Sequence, residues 1–469
     1  MNKYLENITT LFKNITLNAF GVERDFLTLL SDKDVERAVN MMTDNSSEVD
    51  LCINEYYPEK HAVMMRPNKI RENKQPYITE KLTRKRQAFI NEVALFFLLN
   101  NNIKWRCKAR DLKDSEAFKI FRDTMRELRF DTTMRQVKRL AGAETEAAKM
   151  YHIYRDADTG EIKCRVVVMS RSLGYSIRTL IDQYGEMKAF AYYYKTKEGN
   201  RTIEHWDIQT KNLLFFCTKR DIGWDVETRE NPTGRINAVY YKQRKEWDGV
   251  QPLCDREESV MSRLADNNNY FSDPIAKVSA DILMMMEEEP HSVGKMVQVQ
   301  GDQSVLEYLT PPNVAAGWQD EKAELKSAIL TDSLTPDFSY EGIKGYGTLT
   351  GAALRNAMTI GYIKRSLNVE IYGIGVDREV SVMKAYLSLI HPEYDWENLP
   401  IEHEFADPFA DDKQTLWSAL GTAKANGILS EQTAVELANF TDDVEGEMQR
   451  IQEKAKADAQ MAAAPKAEE

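Results

Sequence analysis

Thr335-Pro336-Asp-Phe-Ser-Tyr-Glu-Gly-Ile-Lys-Gly-Tyr-Gly-Thr348 separates two helical patterns, and how those patterns are read decides the fold. Upstream, Glu321 to Leu334 is expected to be a helix ending at the Thr335-Pro336 step, because proline disfavours helical geometry in the residue before it. Downstream, Thr350 can cap a second helix by accepting from its first-turn amides. In that helix Ile360, Ile363, Leu367, Ile371 and Ile374 recur at three-four spacing, and Val380, Met383, Leu387 and Ile390 resume the pattern after a slip. A helix from Thr350 to Ile390 would be on the order of 60 Å long. Such a helix outruns one compact core, so its stripe points to an assembly. Gly361, Gly373 and Gly375 each cost it about 1 kcal/mol against alanine and are read as marking bends.

The chain has 469 residues, 42% hydrophobic and 10% aromatic, so it can bury real cores in several domains. No run approaches the roughly eighteen apolar residues of a membrane span. The start, Met1-Asn-Lys-Tyr-Leu-Glu-Asn7, lacks an export-signal pattern, so a protein that stays in the cytoplasm where it is made is expected. Cys52, Cys107, Cys164, Cys217 and Cys254 are widely spaced and form no CxxC or Cys/His cluster, which indicates free thiols rather than a zinc site or disulfide framework. A net charge of −12 argues against a protein that simply coats nucleic acid. Bases nevertheless outnumber acids from Arg66 to Arg139, as in Lys81-Leu-Thr-Arg-Lys-Arg86 and Lys104-Trp-Arg-Cys-Lys-Ala-Arg110. Such a block suits either a nucleic-acid surface or a complementary protein interface.

Earlier in the chain, Ser31-Asp-Lys-Asp34 resembles a capping box, residues 67–76 an irregular arm, and Thr79 the cap of a helix towards Leu99. A helix near Glu116 to Leu128 carries Phe118, Phe121, Met125 and Leu128 on one face. From Ala147 the period becomes two. Lys149 to Tyr154, the turn Asp156-Ala-Asp-Thr-Gly160 and Glu161 to Met169 read as a hairpin, with Ile162, Cys164, Val166 and Val168 facing one side. Further strands are expected at 187–194, 201–208, 212–218 and 236–241, giving an antiparallel α+β domain. A helical pattern then runs from Asp255 to Glu288, kinked at Pro274. A small β insert follows, with strands Gly294 to Gln300 and Ser304 to Leu309. Helices at Gln414 to Ala425, Glu431 to Phe440 (capped by Ser430) and from Asp443 end the chain.

No phosphate loop, Gly-x-Ser-x-Gly elbow or histidine pair at metal spacing occurs. Asp156 and Asp158 with Glu161 and Lys163 mimic the carboxylates and lysine of a metal-dependent nuclease, which needs converging carboxylates. Asp and Gly are equally favoured in a hairpin turn on backbone grounds. In the loop, Tyr340 and Tyr346 offer contact surface and Lys344 a cation for phosphate.

The order of these parts resembles the portal proteins, or head–tail connectors, of tailed double-stranded DNA bacteriophages. Asn231-Pro-Thr-Gly-Arg-Ile-Asn-Ala-Val-Tyr-Tyr241 looks like the strand ahead of the family's first stem helix, and Glu258 to Met286 like that helix. Tyr346-Gly-Thr-Leu-Thr-Gly-Ala-Ala-Leu354 is similar to the segment joining tunnel loop to tunnel helix, and Gly427-Ile-Leu-Ser-Glu-Gln-Thr433 to the crown start. The resemblance implies an α+β chain with N-terminal helices and arm (1–79), a mixed wing (80–252) and stem helices at 253–288 and 318–334. It further implies a small β clip (289–317), tunnel loop (335–349), long kinked tunnel helix (350–391), connector (392–412) and helical crown (413–469). It implies a homo-oligomeric ring, twelvefold in the virion, at one capsid vertex, assembled in the host cytoplasm and passing double-stranded DNA. Tyr340, Lys344 and Tyr346 would face that DNA. Clip residues Lys295, Gln298, Gln300, Asp302 and Gln303 would meet the terminase or head–tail adaptor, and the ring would also contact major capsid or scaffold protein. No cofactor, metal, catalytic residue or membrane is implied. An acidic wall also suits DNA sliding, since several salt-dependent phosphate contacts per subunit would stall it. The rival expectations are a metal-dependent nuclease on the hairpin and another adaptor or capsid-associated protein of the same particle.

Overall fold

Alternation of side chains from Glu146 onward produces the hairpin Glu146–Arg155 and Ile162–Met169, with Tyr151 opposite Val166. Ile162, Cys164, Val166 and Val168 all pack on the main core, while Val167 and Met169 pack on the opposite face, as a period of two requires. Ala238–Lys242 pairs with the start of this hairpin and completes a three-stranded sheet. A second sheet of six antiparallel strands runs Thr43–Asp44, Ser176–Ile181, Met187–Glu198, Arg201–Thr210, Leu213–Lys219 and Trp224–Glu230 in spatial order. Gly199, at φ +60°, makes the tight turn expected between the third and fourth. Ser176–Ile181 and Trp224–Glu230 are strands that the sequence pattern does not announce. The latter is a charged, mostly exposed edge, which protects a sheet from further pairing.

This computed structural model describes residues 24–70, 76–272, 315–339, 351–409, 413–438 and 444–463, with short pieces at 9–10, 13–14, 276–278 and 306–308 and positions 342 and 344. It divides into two units, Met1–Phe338 with Ile360–Ala406, and Ser339–Thr359 with Asp407–Glu469. In the first unit, helices Arg86–Leu99, Leu112–Glu127, Phe130–Glu144 and the long Thr359–Ile390 build the main core over the three-stranded sheet. Phe118, Phe121, Met125 and Leu128 face that core as their spacing indicates. In the second unit Lys413–Ala425 is followed by Glu431–Ala438 and Val444–Ala463, and Ser430 Oγ accepts from Thr433 N at 3.2 Å as an N-cap.

Several local expectations give way to tertiary contacts. Ser31 closes the helix Phe26–Ser31 rather than opening the next, and Asp32 and Asp34 are drawn into ion pairs with Arg24. Thr79 does not cap a helix; its hydroxyl donates to the Pro67 carbonyl, and the helix starts only at Arg86. Between them the chain is extended against helix Gln251–Ser272. Glu80 N donates to Asp266 Oδ1 (2.7 Å), Leu82 N to Ser262 Oγ (2.9 Å) and Arg84 N to Glu258 Oε1 (2.7 Å). Every second amide of the extended segment thus meets every fourth side chain of the helix. Arg66 with Asp266, and Arg84 and Arg86 with the fully buried Glu257, fasten the same contact.

Helix Gln251–Ser272 stops short of Pro274, and Ala276–Val278 is a strand paired with Leu306–Tyr308. At 276–278 the expected helix is therefore replaced by sheet, and the rest of its expected course to Glu288 lies outside the described residues. Pro274 itself and the expected strand 294–300 lie outside the described residues. The next helix, Ala315–Asp332, begins earlier than its sequence pattern and ends before the Thr335-Pro336 step. Leu334 turns left-handed at φ +53°, Leu334 N donates to Thr331 O and Thr335 N to Leu330 O, a Schellman closure. The Thr350–Ile390 helix is also interrupted: Gly351–Ala357 and Thr359–Ile390 are separate, and the Thr359 hydroxyl takes the Asn356 carbonyl at the break.

Candidate functional site

Helix Thr359–Ile390 carries its first apolar row on the wrong side for a monomer. Ile360, Ile363, Leu367, Ile371 and Ile374 are between 37% and 59% exposed. Val380, Met383 and Leu387 are buried in the core. At about 100° per residue the two rows lie roughly half a turn apart, so the slip at Ile374 is a reversal of faces. Under the exposed row the buried positions are Gly361, Lys364, Asn368, Tyr372, Gly375, Val376 and Glu379. The first half of the helix is polar and small inside, aliphatic outside.

Each buried ammonium below this helix finds three acceptors. Lys364 Nζ donates to the Glu246 carbonyl (3.0 Å) and the Ser333 carbonyl (2.9 Å) and pairs with Glu246 Oε2 (3.1 Å). Lys138 pairs with Glu246 Oε1, donates to Gln243 Oε1 (3.3 Å) and sits 5.1 Å from the Tyr372 ring centre. Lys149 meets Glu379 Oε2 at 2.8 Å, Met134 Sδ at 3.9 Å and the Phe130 ring centre at 4.2 Å. The hydroxyls of Tyr151 and Tyr241 donate to Glu379, which completes its shell. Burial alone would raise the Glu246 carboxyl, but Lys138 and Lys364 hold it down at about 2; burial lowers all three lysines. Two lysines share the single Glu246 carboxylate. The surplus positive charge is offset where Lys364 meets the Ser333 carbonyl, at the C-terminal, negative end of helix Ala315–Asp332. Removing one member of such a buried pair typically costs about 3–5 kcal/mol.

The glycines have a packing reason. A Cβ on Gly361 would lie 2.6 Å from Phe97 Cε1, and one on Gly375 would lie 2.7 Å from Tyr241 Cζ. Gly373 has only His403 Nε2, at 3.7 Å. Gly361 and Gly375 therefore admit aromatic rings against the helix, a packing reason beside the bending expected of them.

Of the other expected site residues, Lys344 is exposed. Tyr340, Tyr346, Lys295, Gln298, Gln300, Asp302 and Gln303 lie outside the described residues. The nuclease-like group is a turn: Asp156 Oδ1 accepts from Asp158 N and Thr159 N, and its Oδ2 meets Lys163 at 2.5 Å. Glu161 is exposed, with Oε2 4.0 Å from Lys163 Nζ. Among the described residues no three His, Cys, Asp or Glu side chains are placed to hold a metal ion, and no helix is long and apolar enough to cross a membrane. Part of the basic block is paired within the chain. Besides Arg66, Arg84 and Arg86, Arg106 meets Glu404 and Lys108 meets Glu402 across the paired strands Lys104–Cys107 and Ile401–Glu404. All five cysteines are free thiols.

Solved structures with a similar chain course include the neck of an empty GTA particle computed with C6 symmetry, at 10% identity and a TM-score of 0.42, covering 76% of this chain and 89% of that one. The neck of the native GTA particle computed with C12 symmetry gives 11% identity and a TM-score of 0.40, with 76% and 92% covered. No curated protein matches the chain. The family model for phage portal protein, SPP1 Gp6-like, matches residues 51–461, and the chain belongs to that family of portal proteins.

Proposed function

We propose that the chain is the subunit of a closed portal ring at one capsid vertex, through which double-stranded DNA is packaged and later ejected. The observation that carries this reading is the exposed row Ile360, Ile363, Leu367, Ile371 and Ile374 on a helix whose inner face is fixed. Over those fourteen steps the row is about 21 Å long at helical rise. An aliphatic strip of that length on a family member is covered by a second copy, and a heterologous contact repeated around an axis closes a ring. The ring acts as a structural conduit and docking platform, not as an enzyme, with the packaging ATPase on a separate terminase.

Within that reading, 80–252 serves as wing, 253–288 and 318–334 as stem, 289–317 as clip, 335–349 as tunnel loop and 413–469 as crown. Tyr340, Lys344 and Tyr346 face the DNA. Lys295, Gln298, Gln300, Asp302 and Gln303 offer donors and acceptors to the terminase or head–tail adaptor. The test is the mass and symmetry of the purified full chain by native mass spectrometry and electron microscopy, beside Leu367→Asp/Ile371→Asp. Rings in the parent and monomers in the variant are expected. A parent that stays monomeric at every concentration removes the reading.

A further inference from the structure

A helix with an aliphatic row and a polar row has an obvious alternative setting. Turned about its axis, the first half of Thr359–Ile390 would bury Ile363, Leu367 and Ile371 in its own chain and give Lys364 and Asn368 to water, the ordinary amphipathic solution for that half. The same turn would carry Val380, Met383 and Leu387 of the second half out of the core. The structure adopts the opposite one, and the buried partners explain why. Turning Lys364 and Glu379 out would strand Lys149 without its carboxylate and leave Tyr151 and Tyr241 without their acceptor. It would also remove the donor from the Ser333 and Glu246 carbonyls, and drive helix atoms into the Phe97 and Tyr241 rings that Gly361 and Gly375 now admit.

We propose that Lys364 and Glu379 are positioning residues that, with the core-buried second half of the helix, hold its first half in the rotational setting where its aliphatic row faces away from its own chain. The two sites are fifteen residues apart on one helix face, and each is tied to a different part of the wing: Lys364 to Glu246, Glu379 to Lys149 and Tyr241. Two separated ties fix rotation and register together, which a continuous apolar underside would not, since apolar contacts are non-directional. Buried ionic groups used for register rather than for stability are a known device. The inference rests on the ring reading for its purpose, not for its geometry.

The experiment uses the full chain and hydroxyl-radical labelling of the monomer fraction, read by mass spectrometry at Ile363, Leu367 and Ile371. The variant Lys364→Met/Lys149→Met/Glu379→Gln replaces the charges while leaving a side-chain oxygen for one of the two tyrosines, which in the parent meet different carboxylate oxygens. It is expected to melt cooperatively, to lose labelling at the three aliphatic positions severalfold, and to form fewer rings. Labelling equal to the parent's in a cooperatively folded variant overturns the proposal. If the triple variant does not fold, Lys364→Met alone decides, with recovery of parental labelling by Lys364→Arg expected and unchanged labelling in Lys364→Met overturning it. A parent that is labelled but never forms rings refutes the ring reading, while the comparison of labelling still judges the positioning role.

Discussion

Three glycines on one helix offer a controlled comparison, because their surroundings differ while their secondary structure does not. An alanine Cβ at position 375 would stand 2.7 Å from Tyr241 Cζ, where ordinary contact needs about 3.4–4 Å. The ring must retreat by about 1 Å, yet it stacks on Tyr372 with centres 5.3 Å apart and its hydroxyl is held by Glu379. Overpacking of this kind costs about 1–3 kcal/mol, and weakening a hydrogen bond to a buried carboxylate adds about 1.5–3 kcal/mol. The better helix propensity of alanine returns about 1 kcal/mol. Gly375→Ala is therefore expected to lose about 1.5–5 kcal/mol. Gly361→Ala, against Phe97, is expected to lose up to about 2 kcal/mol, since no hydrogen bond is at stake. Gly373→Ala, open apart from the His403 ring, should gain up to about 1 kcal/mol. Equilibrium guanidinium unfolding at one fixed protein concentration, which holds the contribution of association constant, reads all three. Equal stability of Gly375→Ala and Gly373→Ala would refute the packing argument and leave only the bending role.

Asp207 is buried in the six-stranded sheet, where Tyr192 donates to it at 2.8 Å, and burial pushes its carboxyl up to about 6. Between its ordinary value of 3.8 and that figure the folded state holds a proton that the unfolded state has lost, so stability falls as pH rises through this window. At about 1.4 kcal/mol per pH unit the loss totals about 3 kcal/mol; Asp207→Asn should remove it, matching the parent near pH 4 and exceeding it at neutral pH in thermal melts. His61 shares that direction for the opposite reason, since its charged form is the favoured one. Burial opposes its charge, but the Glu258 carboxylate 2.7 Å away raises it above the usual 6.5, so its ion pair stabilises fully below that pH and fades as pH climbs through the raised value. The stability difference between the parent and His61→Gln should shrink on alkalisation. Arg129 is exposed at φ +52° between two helices, and Arg129→Gly should stabilise by about 0.5–1 kcal/mol in the same unfolding assay.

Where the sequence pattern and the tertiary contacts agree, the fold was readable in advance. The alternation Ile162, Cys164, Val166, Val168 needs only the pleat of a strand, and the Ser430 cap only its own first turn. The misreadings fall where distant residues decide. Thr79 and Ser31 have capping chemistry, yet their segments were claimed by Asp266, Ser262 and Glu258 in one case and by Arg24 in the other. The apolar row at Ile360 to Ile374 was visible, and its length pointed to an assembly. Its outward direction was not visible, because hydropathy alone cannot say that Lys364 and Glu379 have buried partners more than a hundred residues away in sequence. The same blindness covers the basic block from Arg66 to Arg139, whose acids at Glu257, Asp266, Glu402 and Glu404 lie far along the chain.

The segment Glu80 to Arg84 and the helix beside it behave like two rulers with slightly different gradations. Two extended residues advance about 6.6 Å and four helical residues about 6.0 Å. Marks brought into coincidence at Glu80 and Asp266 are therefore about 0.6 Å apart at Leu82 and Ser262 and about 1.2 Å apart at Arg84 and Glu258, which flexible side chains absorb. A fourth mark would miss by about 1.8 Å, and there the helix presents Cys254, a poor acceptor, while the extended chain gives way to helix at Arg86. A strand gripped along a helix in this way is self-limiting in length, and any insertion between Glu80 and Arg84 would put all later marks out of phase at once.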